Sequence, residues 1–161
     1  MRGRIVRKQV IVLATAILVV AGLAGYAWWD SWQNRQRADA TREALAVAPA
    51  AAAAIFSYDY RTFDAAVANG KNFATGTFAS EYAKTTTALK DSVVKEQAVV
   101  TAQVSASGVI DVAPDRVQVL LFVNQYRRNV NISGEKVDQN RVVLTLMKVD
   151  DSWKVSAASA L

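Results

Sequence analysis

The chain has no histidine and no cysteine, and only two prolines, among its 161 residues. Without cysteine there is no disulfide framework, no thiolate metal site and no cysteine nucleophile. Without histidine the commonest general base near neutral pH and the commonest zinc ligand are gone, so histidine-dependent triads and the usual metallohydrolase centres lack their parts. Net charge is also scarce over most of the chain. Of the formal +5, four positive charges belong to Arg2, Arg4, Arg7 and Lys8; residues 30–56 are neutral and residues 57–161 carry a net +1. Phosphate binding needs basic side chains concentrated on a folded surface, so nucleic acid is excluded as a partner and the basicity is an N-terminal flag.

The hydrophobic content of 52% is enough for one domain with a real core. It includes one long uncharged run, Val10 to Trp29, which at ~1.5 Å per residue reaches about 30 Å as a helix and so can cross a bilayer core. Tyr26, Trp28, Trp29 and Trp32 cluster at one end, where amphipathic rings favour the headgroup region, and the basic cluster sits at the other. The positive-inside rule then puts residues 1–9 in the cytoplasm and everything after the helix outside the cell membrane. A cleavable signal peptide is the competing reading, but the apolar run exceeds the usual ~7 to 15 residues and no extended cleavage region follows it.

Residues 30–56 are rich in helix formers, with ten alanines from Ala38 onward. Leu45, Ala48, Ala52 and Ile55 or Phe56 recur at helical spacing, so this juxtamembrane helix should dock on the domain that follows. Pro49 predicts a kink or a break near Val47 or Ala48. Thr62 reads as the N-cap of a short helix ending at Asn69, with Gly70 as its stop, and Phe78 to Gln97 reads as a longer amphipathic helix.

From about Ala98 the hydrophobic repeat becomes two. Val100, Ala102, Val104 and Ala106 alternate with polar residues, Gly108 suggests a bulge, and "APDR" and "NISGEK" are turns. The segment "VQVLLFVNQY" is apolar on both faces, as a central strand covered on two sides would be. "RVVLTLMKV" and "WKVSA" complete four strands, the last two joined by the tight "VDDSW" connection. Helices first and strands afterwards predict an α+β fold: a transmembrane helix, then about three helices on a curved antiparallel sheet of about four strands. The expected divisions are 1–9, 10–29, 30–56 and 57–161.

That order, ending in "DDSWKV", resembles the NTF2-like, SnoaL-related cone fold. The arginine-flanked apolar segment, "YDYRTFDAAVANGKNFATGTFASEYAKT", "FVNQY" and "DQNRVVLTLMKVDDSWKVS" together resemble the actinobacterial Mce-associated membrane proteins. The resemblance implies an accessory protein of Mce-type lipid import in the cell envelope, with transporter subunits as partners, no cofactor and no catalytic residues to transfer.

The stretch "YDYRTFD", Tyr58 to Asp64, is where an enzyme would have its site. NTF2-like enzymes hold a carboxylate in an apolar cone, and Asp59 with Tyr58 or Tyr60 could play base and hydrogen-bond donor. A structural corner explains the same residues: Asp59 and Arg61 lie where one helix ends and another starts, with Tyr58, Tyr60 and Phe63 wedging the joint. The corner is the preferred reading, so no activity is expected. Asn124, Gln125 and Tyr126 are candidates for the cone mouth or a partner contact. The doubly apolar run Val119 to Val123 suggests that a partner or a second copy covers the open sheet face. A lipid carried in the cone is the alternative function, with an anchored isomerase or dehydratase a further one.

Overall fold

Alternating apolar residues bury one face of a sheet only if something lies against it, and here a stripe of alanines does so. In the computed structural model, which describes the backbone of residues 2–161 and side chains from Val20 onward, the elements run α1 (Arg2–Phe56), β1 (Tyr58–Asp59), α2 (Phe63–Phe73), α3 (Gly76–Glu96), β2 (Val99–Val112), β3 (Arg116–Arg128), β4 (Lys136–Val149) and β5 (Ser152–Ala160). The chain divides into two units, Met1–Ala38 and Asp39–Leu161.

In the first unit Tyr26, Trp28, Trp29 and Trp32 are exposed, and the Trp29 and Trp32 rings lie 6.2 Å apart. Among the described residues no helix is long and apolar enough to cross a membrane. Residues 10–19, half of the expected span, have side chains outside the described set.

In the second unit the sheet is a five-stranded antiparallel meander in the order β1-β2-β3-β4-β5, one strand more than expected. The extra strand is β1, two residues long, which pairs Tyr58 with Val100 and Asp59 with Val99. Ser57 Oγ accepts the Ala102 N–H at 2.9 Å, extending the seam by a side chain.

Val117, Val119, Leu121 and Val123 of β3, Val142, Leu144 and Leu146 of β4, and Trp153 and Val155 of β5 point to one face and are buried. Ala40, Ala44, Ala48, Ala51, Ala52 and Ile55 of α1 meet them in a single cluster. Alanine keeps the helix close to the sheet, and each fully buried Val or Leu beneath it contributes about 1.5–3 kcal/mol. The docking stripe expected from helical spacing is thus present. The break at Pro49 is not: α1 is continuous through it. Pro49 lies off the alanine stripe, and packing along that stripe holds the helix across a residue that cannot donate to the preceding turn.

Two further expectations need correction. Gly70 does not stop α2, which runs on to Phe73; it is buried, and a Cβ there would overlap the Tyr82 hydroxyl and lie 2.8 Å from its Cζ. Glycine is required for close approach, not for a left-handed turn. Gly108 stays in register opposite Leu120, and the irregularities of β2 fall at Ser105 and Ile110 on either side of it. At the first of these the Ser105 hydroxyl donates to the Phe122 carbonyl, and at the irregularity in β5 Ser156 donates to the Thr145 carbonyl. These bulges add the twist that curves the sheet.

Among the described residues, β3 is fully buried on one side only. Its outward residues include Leu120, half-buried, and Phe122, 43% exposed, beside Val143 of β4. Both faces are apolar in sequence, but the described residues bury just one of them fully.

Candidate functional site

Beyond Ile55 the alanine stripe ends, and bulky rings replace it on the same inner side of the sheet. The end of α1, the corner at Tyr58, α2, α3 and the inward Gln125 of β3 enclose a cavity of about 340 Å³. Two aromatic pairs form its walls. Tyr58 meets Phe63 edge-on, with centroids 5.8 Å apart at 74°, and Phe78 lies 6.2 Å from Tyr82. Val67 and Leu89 complete the apolar lining, and exposed Glu81 stands at the rim. Burial pushes the Tyr58 and Tyr82 hydroxyls above the ordinary phenol range, so both are protonated donors near neutral pH.

The structure separates the residues that sequence reading grouped together. Asp59 does not line this cavity. Its Oδ1 accepts the Arg61 backbone N–H at 2.9 Å and Nε–H at 3.0 Å, and its Oδ2 accepts from the second guanidinium nitrogen at 2.6 Å. These hydrogen bonds hold its carboxyl below the usual range, the reverse of a carboxylate raised by an apolar pocket to act as base. Arg61 also lies 5.4 Å from the Tyr60 ring centre, and the Tyr60 N–H donates to the Ala98 carbonyl. "YDYRTFD" turns the chain from α1 into α2, and two of its rings, Tyr58 and Phe63, line the cavity. Thr62 occupies the N-cap position of α2 but makes no side-chain capping bond.

The triplet Asn124, Gln125 and Tyr126 is split by strand alternation. Gln125 pairs with Ala102 and points inward, where its Oε1 accepts from Asn140 Nδ2 at 2.9 Å. Asn124, opposite Gln103 and Gln139, and Tyr126, opposite Thr101 and Val137, belong to the outer face. A wider, open depression of about 750 Å³ near Gln125 is polar, and its Arg127 and Asp138 already pair with each other.

Sequence reading missed Phe63, Val67, Phe78, Tyr82 and Leu89 as one lining. Phe78, Tyr82 and Leu89 shared a predicted helix face, but their distance from the sheet is a tertiary quantity.

No family model matches the chain. It is similar to the uncharacterized protein Rv1362c of Mycobacterium tuberculosis, 28% identical over 149 residues that cover 91% of this chain and 68% of that protein. Among solved structures it is similar to an IcmL-like type IV secretion system protein of Legionella pneumophila, with a TM-score of 0.61 at 17% identity, covering 71% of this chain and 86% of that one. The periplasmic domain of DotI gives 0.60 at 16%, covering 71% and 89%, and VirB8 of Agrobacterium tumefaciens gives 0.53 at 15%, covering 69% and 84%. The folded unit shares the fold of these domains, with helices packed on one face of an antiparallel sheet.

Proposed function

We propose that this protein is a single-pass accessory protein, amino terminus in the cytoplasm and folded unit outside, that stabilises or assists an Mce-type lipid or sterol import complex in the cell envelope. The observation that carries the reading is the joining of a basic-flanked apolar N-terminal stretch to a cone whose fold is shared with periplasmic parts of secretion machinery. The sequence resemblance to Mce-associated proteins supplies the choice of complex. The protein acts by binding and not by catalysis: Asp59, the carboxylate that the sequence offers as a base, is tied to Arg61 and lies outside the cavity. The outer sheet face around Leu120, Phe122 and Val143 is the surface offered to a transporter subunit or to a second copy.

Affinity purification of the full-length, membrane-extracted protein tests this, with mass spectrometry of the eluate and of the transporter subunits in a deletion strain. Co-purifying subunits whose abundance falls on deletion are expected. Unchanged subunit levels together with unchanged lipid uptake would sink the reading.

A further inference from the structure

The cavity between α2, α3 and β3 is not needed by a scaffold, yet the fold keeps it open. Gly70 is the means. Because it has no Cβ, the Tyr82 hydroxyl rests against α2, and any larger residue would drive that ring toward the space it now borders. With Gln125 Oε1 taken by Asn140, the Gln125 NH₂ remains as a donor at the sheet side. Among the described residues, the Tyr58 hydroxyl has no protein hydrogen-bond partner either. An aromatic-walled space with two donors in its lining fits a ligand that is apolar along its body and has an acceptor at one end.

Size and charge narrow the class. About 340 Å³ lies at the small end of the ~300–1,000 Å³ typical of ligand sites, too little for a two-chain phospholipid. Among the described residues Glu81 is the one acidic or basic side chain in the lining, and it sits exposed at the rim, where it disfavours an anionic head. Arg127, whose charge acts on the Tyr58 hydroxyl, is paired with Asp138, and among the described residues no cation is in the lining, so an unpaired charge there would be costly.

We infer that this cavity binds one uncharged, single-chain amphiphile of the fatty-alcohol type, its chain between the Tyr58–Phe63 and Phe78–Tyr82 walls and its oxygen at Gln125 and Tyr58. The inference goes beyond the scaffold reading and does not depend on it.

The test is photolabelling of the full chain in phosphatidylcholine nanodiscs with a diazirine-bearing dodecanol, the labelled peptides being mapped by mass spectrometry. Label is expected in 63–73 and 76–96, displaced by plain dodecanol and not by dodecanoate. Leu89→Trp, at a rim position already 37% exposed, should close the mouth and abolish that label. Gln125→Leu should weaken displacement by roughly two- to tenfold, the worth of one hydrogen bond. Label confined to the Trp28–Trp32 region, label unchanged by Leu89→Trp, or equal displacement by dodecanoate would each overturn the assignment. If Gln125→Leu does not fold by circular dichroism, Leu89→Trp alone decides. Subunit co-purification reports on the scaffold reading separately.

Discussion

The two ends of the sheet's inner face are built from the same strands and covered to opposite effect. From Ala40 to Ala52 a stripe of methyl groups lies on Val119, Leu121 and Leu144, all at zero exposure. From Ile55 onward, Phe63, Phe78 and Tyr82 hold α2 and α3 off the strand that carries Gln125, and a cavity is left. Small residues permit contact between backbones, whereas rings propped against one another enclose space. Burial therefore stabilises one end, and the other is free to bind.

Truncation at the packed end should have the largest effect. Leu121→Ala is expected to lose about 2–5 kcal/mol in chemical denaturation, since the close-packed helix and strands cannot collapse into the gap. The equivalent truncation at the open end, Leu89→Ala, should cost far less because that side chain is already partly in water. Equal losses would abolish the contrast between the ends.

Gly70→Ala probes the open end from behind. Displacing Tyr82 should cost about 1–3 kcal/mol in thermal or chemical unfolding and shrink the cavity, which the dodecanol label reads directly. Undiminished label would mean that Tyr82 has another place to go.

A smaller effect is expected from pH at the packed end. Glu43 Oε2 accepts the Trp153 indole N–H at 2.8 Å and the Lys148 ammonium at 3.0 Å, tying α1 to β4 and β5. These two hydrogen bonds, the indole first, lower the Glu43 carboxyl below its ordinary value of 4.5. A folded-state value below the unfolded one means that this contribution is present above about pH 4.5 and is lost as pH falls through the folded value. Glu43→Gln should remove that segment of the stability profile, and an unchanged profile would show the contact to be unimportant.

The smallest effect belongs to the β4–β5 turn. Asp150 and Asp151 both have positive φ, 47° and 60°, in a two-residue hairpin where glycine is favoured at the second position. Asp151→Gly should stabilise by about 0.5 kcal/mol, read as a higher melting temperature with the dodecanol label unchanged.

How much of this was legible in the sequence depends on how local the cause is. The period-two pattern after Ala98 and the tight Asp-Asp connection follow from neighbours a few residues apart, and both stand in the fold. The strand β1 is two residues long and exists only because β2 lies beside it, so no periodicity could announce it. The pairing of Asp59 with Arg61 is likewise local, the two being two residues apart, and they form an ion pair.

The sequence by itself determined the α+β order, the face of each strand that is apolar, the helical spacing of the alanine stripe and the exclusion of histidine and cysteine chemistry. Tertiary structure decided the rest. It carried α1 through Pro49, because packing along a whole helix outweighs one missing hydrogen bond. It made Gly70 a seat for Tyr82, turned Gln125 inward while Asn124 and Tyr126 faced out, and buried one apolar side of β3 more fully than the other. Each of these depends on distances between elements far apart in the chain, which no local pattern encodes.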